Sequence, residues 1–297
     1  MTGLILIALA GFGASFIDGA LGMGFGVTST TLLLAVGLSP ALASASVHLA
    51  KLGTAAASGT AHARFGNVDW AGVRRIGIPG AVGAFAGATV LSNLSTKAAL
   101  PFTGTLLFIL GIYIVIRFVM GRAPRRKPGT PGNRLMIPLG LVGGFVDATG
   151  GGGWGPVTTP TLLADGRLSP ARVVGTVNTA EFIVALAASL GFLLGLGTAG
   201  IDLGIVLALL VGGVIAAPLA AWLVRFLNPR ILGVVVGCFI LLLNARLILG
   251  ALNADPVIWW TVYAVLLTLA VSAITFVVRI VIREREVSAE GPESVHA

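Results

Sequence analysis

The chain is poor in the side chains that carry covalent and metal chemistry. Among its 297 residues there is one cysteine, Cys238, and there are three histidines; charged residues make up only 10%. A single cysteine excludes an intrachain disulfide and a thiolate metal cluster. Three histidines, one of them near the end at His296, leave little material for a metal centre. No Gly-x-Ser-x-Gly elbow, no His-Glu-x-x-His and no phosphate loop ending in Gly-Lys-Ser/Thr occurs, so hydrolase, metalloprotease and ATPase readings have nothing to rest on. So little charge also excludes an ordinary soluble domain, which needs more polar surface to cover itself.

Apolar sequence takes the place of what is missing. Hydrophobic residues make up 56% of the chain, and its mean hydropathy is +1.01. The runs Ile76–Leu91, Ala98–Met120, Val173–Leu196, Leu203–Val224, Ile231–Leu252 and Val257–Val278 approach or exceed the roughly 20 residues of a spanning helix. Val27–Val36, Leu135–Val146 and Val157–Ala164 are shorter and read as half-helices. The N-terminal stretch Met1–Ile17 lacks the basic start and cleavage pattern of a signal peptide, and its internal counterpart Leu135–Val146 makes both structural. The 42 glycines suit close helix contact through small side chains.

The net charge of +8 does not indicate nucleic acid, because the positive residues collect in loops rather than on one face. Arg64, Arg74 and Arg75 form one group, Arg122, Arg125, Arg126 and Lys127 a second, and Arg279, Arg283 and Arg285 a third. Lys and Arg flanking spanning segments set orientation and mark the cytoplasmic side.

The pattern that organises the chain is a duplication. Phe16–Ile17–Asp18–Gly19–Ala20–Leu21–Gly22–Met23–Gly24–Phe25–Gly26 returns as Phe145–Val146–Asp147–Ala148–Thr149–Gly150–Gly151–Gly152–Gly153–Trp154–Gly155. Each copy leads through a Leu-rich stretch to Leu-Ser-Pro-Ala, at Leu38–Ala41 and Leu168–Ala171. Further on, Asp69 matches Asp202, Lys97 matches Arg230 and Gly104 matches Gly237. A period near 130 is too long for a solenoid and suits the halves of a transporter whose repeats meet at interrupted helices. One crossing plus a re-entrant piece over Gly3–Val36 gives parallel repeats, two crossings give inverted ones, and the sequence leaves both open.

Two residue classes carry the candidate chemistry. Glycine-rich interruptions free backbone groups that only protein or a watery cavity can satisfy at membrane depth, and freed N–H groups at a half-helix start favour an anion. These are Gly22, Gly24 and Gly26 in the first copy and Gly151, Gly152 and Gly153 in the second. The other class is ionisable or polar side chains inside apolar segments, which mark partners or pathways. Asp18 and Asp147 sit at the mouths of the two loops, as caps or as proton carriers. After Leu-Ser-Pro-Ala come Ser46, His48 and Lys51 in one half and Thr176, Asn178 and Glu181 in the other. His48 then matches Asn178, and Lys51 matches Glu181, each pair three apart on one helix face. Lys51 and His48 would attract an anion, with Glu181 pairing or carrying a proton; the alternative is a Lys51–Glu181 bridge that never meets cargo.

The Asp-plus-glycine runs, the Leu-Ser-Pro-Ala steps, Gly175–Thr176–Val177–Asn178 and the loop Arg64–Phe65–Gly66–Asn67–Val68–Asp69–Trp70 together resemble the TauE/SafE family of sulfite-exporter-like anion permeases, over about Gly3 to Leu249. The resemblance implies passage of sulfite, sulfoacetate or another organosulfonate or sulfur oxyanion across a bacterial inner membrane; a coupling proton, suggested by the carboxylates Asp18, Asp147 and Glu181, is a second candidate partner. Two departures stand out: Thr30 occupies the place of Pro160, and the first glycine run is thinner than the second, which makes the second the stronger candidate for contact with cargo.

The expectation is therefore an all-α integral membrane protein of two homologous repeats with glycine-interrupted half-helices. Residues 1–120 form the first repeat, 121–134 a basic Pro/Gly linker, 135–252 the second repeat, 253–282 an added helix and 283–297 a charged tail. Its partners are a small anion and membrane lipid, with no nucleic acid, no metal and no cofactor; a non-transporting sensor or assembly subunit is the other reading. The basic linker beside two spans is expected to be cytoplasmic. A cysteine placed at Thr130 should therefore resist membrane-impermeant thiol reagents in intact cells, and ready labelling would invert the topology.

Overall fold

A computed structural model describes residues 2–21, 23–120, 128–197, 202–223 and 228–289. Among these residues there are eleven helices and no strand: α1 Thr2–Leu21, α2 Phe25–Ala35, α3 Pro40–Arg64, α4 Trp70–Asn93, α5 Thr96–Met120, α6 Asn133–Gly150, α7 Trp154–Asp165, α8 Pro170–Leu196, α9 Leu203–Leu223, α10 Pro229–Ala251 and α11 Pro256–Ala289. Residues 121–127 of the expected linker and 290–297 of the expected tail lie outside the described residues. The order long, short, long, long, long runs twice, through α1–α5 and α6–α10, and α11 follows without a counterpart. Helices α4, α5, α8, α10 and α11 are each long and apolar enough to span a bilayer unaided.

The matched motifs turn out to be helix starts. The Leu-Ser-Pro-Ala serines accept the backbone N–H three residues on, Leu42 to Ser39 and Arg172 to Ser169, both at 3.4 Å. Asp69 Oδ1 accepts the N–H of Ala71 at 3.2 Å to start α4, and Asp202 Oδ1 accepts that of Gly204 at 2.8 Å to start α9. A short oxygen-bearing side chain at each position satisfies donors that the first helical turn leaves without a partner.

Contacts between helix ends give the topology. Thr130 donates to Asp69 Oδ2 at 2.7 Å, Arg75 Nη1 to the Pro131 carbonyl at 3.1 Å, and the Gly129 N–H to the Arg167 carbonyl at 3.1 Å. The linker end, the α3–α4 loop and the α7–α8 turn therefore share one face. Helix α6 starts at that face and α7 returns to it, which makes α6–α7 a re-entrant hairpin. At the opposite face, the start of α9 lies against the start of α1, with Leu4 beside Gly204. Helix α1 then runs alongside α9, through Gly11 on Leu209 and Ser15 on Gly213. The hairpin α1–α2 thus enters from the far face. Each half consists of one hairpin and three crossings, an odd number, so the two halves are inverted. Neither count drawn from the sequence combined these pieces.

Two boundaries differ from the sequence reading. The run Leu135–Val146 reads as a half-helix, yet α6 extends at both ends to 18 residues, because its glycines lie against a neighbouring helix instead of breaking it. The charged residues from Arg283 to Ala289 belong to α11. There Glu284 Oε1 accepts from Arg230 Nη1 at 2.8 Å, which also brings the end of α11 to the linker face. Only 11% of the apolar span of α11 is buried within the protein, so most of its surface faces away from the other helices.

Glycines form the tightest helix crossings. A Cβ on Gly140 would strike the Ile76 carbonyl, one on Gly144 the Gly80 carbonyl and one on Gly83 the Leu141 carbonyl. Helices α4 and α6 are therefore in backbone contact, the close approach that small residues permit in membranes. Gly212 against the Ala8 carbonyl serves the equivalent α1–α9 crossing. Gly144→Leu is expected to destabilise the protein by at least the roughly 1–3 kcal/mol of an overpacked core. Gly13→Leu, with nothing within 4 Å, should be tolerated. Monodispersity after heating in detergent separates the two; equal loss, or none in Gly144→Leu, would refute this packing.

Candidate functional site

The two aspartates at the loop mouths do the same work. Asp18 Oδ1 accepts the Phe25 N–H at 3.1 Å, and Asp147 Oδ1 accepts the Trp154 N–H at 3.0 Å. Each reaches seven residues across its loop to the first residue of the short helix. There a carboxylate meets both an unpaired donor and the positive end of the helix. The loops turn through left-handed glycines, Gly24 at φ 121° and Gly151 at φ 72°, a conformation that L side chains rarely adopt.

The loops also touch. A Cβ on Gly152 would overlap the backbone of Gly26 and Val27, and one on Gly26 would overlap Gly152 and come within 3.0 Å of Lys51 Nζ. This contact fixes where the two half-helix starts converge. The second loop is tied further by three hydroxyls from the first half. Ser44 donates to the Ala148 carbonyl at 2.5 Å, Thr103 to Thr149 at 3.0 Å and Thr30 to Gly151 at 2.9 Å. These carbonyls end α6, where no intrahelical donor remains. The departure at Thr30 thereby acquires a cause: a proline in its place could not donate to Gly151. Nothing in the sequence distinguishes Ser44 or Thr103 from other small residues on apolar helices.

Beside the junction lies a buried ionic chain. Lys51 Nζ is 3.1 Å from Asp147 Oδ1 and 2.7 Å from Glu181 Oε1. His48 Nε2 is 3.0 Å from Asp147 Oδ2, and its Nδ1 is 2.8 Å from the Ser44 carbonyl. Since Ser44 spends its own hydrogen on Ala148, Nδ1 is the donor to the Ser44 carbonyl. Nε2 then faces a carboxylate oxygen of Asp147. Asp147 and His48 are fully buried, Lys51 nearly so, and Glu181 retains 19% side-chain exposure. The two cations come from α3 of the first half, and Asp147 and Glu181 come from the second.

A cavity of about 30 Å³ opens at this point, lined by Asp18, Gly24, Gly26, Lys51, Gly152, Asn178 and Glu181, together with Met23, Phe25, Thr54, Gly155 and Pro156. It has room for about two water molecules. Seven of the residues singled out in the sequence thus converge, while the others have different places. His48 and Asp147 lie behind Lys51 and are not among the lining residues. Gly151 sits under Thr30, and Gly153 packs on Val146 of its own hairpin. Asn178 also donates to Ser58 Oγ at 3.1 Å. Ser46 is buried without a hydrogen-bond partner among the described residues. Thr176 is far from the cavity in role: its hydroxyl accepts the Asp69 N–H at 2.9 Å, tying the start of α4 to α8. Gly22 lies outside the described residues. Thr54 carries no signal in the sequence, and Met23 stands inside the first glycine run without having been singled out.

Comparisons with known proteins agree with this architecture. A family model described as sulfite exporter TauE/SafE matches residues 7–247. The probable membrane transporter protein YtnM of Bacillus subtilis (strain 168) is 50% identical over 279 residues, covering 93% of each chain. No solved structure matches. A match to that family across both hairpins and all six crossings of the two halves, in a multi-pass helical membrane protein, establishes that the chain belongs to the TauE/SafE family of membrane transporters.

Proposed function

We propose that the protein is a permease for a small oxyanion, carried intact and without covalent chemistry, and that its cargo is sulfite, sulfoacetate or another organosulfonate. The observation that carries this reading is Lys51, an ammonium group held at the wall of the one cavity where both half-helix starts converge. The cargo would bind there between Lys51, Asn178 and the N–H groups at the start of α2. At such a site a fixed cation and helix ends are worth more than in water. The family description favours a sulfur oxyanion, and the small lining residues Gly24, Gly26, Gly152 and Gly155 favour a compact head group that approaches backbone.

The cavity at about 30 Å³ is too small for such an anion, so the loops must part to admit it. The Gly26–Gly152 contact is where they would separate, and the neighbouring Thr30–Gly151 hydrogen bond would have to yield with it.

Radiolabelled sulfite and sulfoacetate uptake into vesicles containing the purified protein tests the reading. Lys51→Met should lower uptake at limiting substrate by about 30-fold or more, the scale of losing one member of a buried charge pair. Lys97, exposed at the far face, should tolerate the same change. If Lys51→Met transports normally, or if Lys51→Met/Glu181→Gln regains wild-type uptake, the lysine is a structural partner and the site lies elsewhere. No uptake of either anion by the wild type would favour a sensor or assembly role.

A further inference from the structure

We infer that the transporter carries protons with its anion, and that Glu181 is the group that takes the proton. This rests on the anion reading above and assigns the coupling within the same site.

The inference begins with the unequal standing of three carboxylates. Asp147 has no freedom: it accepts from Lys51 and from the Trp154 N–H, lies 3.0 Å from His48 Nε2, and has no exposure. Asp18 is tied to the Phe25 N–H at the cavity edge. Glu181 has Lys51 as its ion-pair partner at 2.7 Å, lines the cavity and keeps 19% side-chain exposure. It alone combines contact with the lysine, access to water and freedom from any backbone cap.

The ionisable groups around Glu181 come from several helices. They are Lys51 and His48 from α3, Asp147 from α6 and Asp18 from α1. Helices α4 and α7, which also pack on α8, carry theirs near their ends, at Arg74, Arg75 and Asp165. With Lys51 charged and Asp18, Asp147 and Glu181 ionised, negative charge exceeds positive in this cluster. An anion arriving at Lys51 meets a site that is already negative, and the Glu181 carboxylate occupies the position against Nζ that the anion needs. A proton moving from water to Glu181 Oε1 removes both obstacles. It frees Lys51 and leaves the charge of the loaded site equal to that of the empty one when the cargo is a monoanion. No bond other than O–H forms or breaks.

The two mixed states are disfavoured by the same geometry. An empty site with Glu181 protonated leaves Lys51 Nζ with Asp147 as its ion-pair partner, a carboxylate that it shares with His48. A loaded site with Glu181 ionised sets two anions against one cation where water is scarce. Anion and proton are therefore bound together or not at all, which is the requirement for coupled movement. Asn178 and Gly26 complete the wall against which the anion would replace the carboxylate.

The test uses the full-length protein in sealed vesicles with a pH-sensitive dye inside and radiolabelled sulfoacetate outside. With the membrane potential clamped, wild type should accumulate the anion in the more alkaline compartment by about tenfold per pH unit for each coupled proton, with dye-reported acidification that requires the anion. Counterflow, in which labelled anion exchanges for unlabelled, should accelerate toward acid pH in wild type and show a flat pH profile in Glu181→Gln. Glu181→Asp should restore the slope. Wild-type accumulation that ignores the pH gradient overturns proton coupling while leaving the anion site intact, provided Lys51→Met is inactive. An unchanged slope in Glu181→Gln removes Glu181 from the role and shifts it to Asp18. If Glu181→Gln does not survive purification, the wild-type gradient and the Glu181→Asp slope still decide the matter. Absence of sulfoacetate and sulfite counterflow in wild type defeats the anion reading itself.

Discussion

Everything in this molecule depends on backbone that is interrupted inside a membrane. Where a helix stops at that depth, its last carbonyls and the next helix's first N–H groups have no water to turn to and must find partners within the protein. Here the partners are provided by type. An aspartate from the preceding helix caps each short helix across its loop. Hydroxyls from α2, α3 and α5 take the carbonyls at the end of α6. Glycines let the loops meet backbone to backbone. Remove any of these and an uncompensated polar group remains in an apolar surround, which costs several kcal/mol in hydrocarbon.

The ionic chain follows from that solution. Because Asp147 must face the Trp154 N–H, it lies buried at the junction and calls for a countercharge, and Lys51 and His48 supply it from the opposing half. The lysine thereby becomes a cation held at the junction, with one flank on a fully buried carboxylate and the other on one that keeps some exposure. A group that begins as structural compensation is thus placed where ligand chemistry can use it. Of the two roles that the sequence leaves open for Asp147, the structure shows the cap: Oδ1 accepts from both the Trp154 N–H and Lys51, and Oδ2 faces His48.

Much of this was legible in the sequence because duplication repeats its physics. Asp18 with Asp147, Ser39 with Ser169 and Asp69 with Asp202 recur because each half has to start the same helices. Lys51 and Glu181 stood out as ions within apolar segments at equivalent positions, and they are in contact. Other features left no trace in the one-dimensional pattern. Thr176 looked like part of the site by proximity to Asn178, but two residues along a helix turn a side chain away, and its hydroxyl serves Asp69 instead. Asp147 was not paired with Lys51 in advance, since no spacing rule connects α3 to α6. The inversion of the halves was hidden because hydropathy does not distinguish a re-entrant hairpin from a crossing; only contacts such as Gly129 with Arg167 do so.

Inversion has a consequence for how the two copies have diverged. Equivalent loops of the two halves lie on opposite faces, so a charge that suits one copy is misplaced in the other. The α3–α4 segment carries Arg64, Arg74 and Arg75 at the linker face, whereas the equivalent sequence, 197–208, has no basic residue. Gly37 in the far-face turn corresponds to Arg167 in the linker-face turn. A chain with identical copies would present the same charge to both sides and insert either way round. Arg64, Arg74, Arg75 and Arg167 have no basic counterpart on the other face, an asymmetry of the kind that orients a membrane protein as it inserts.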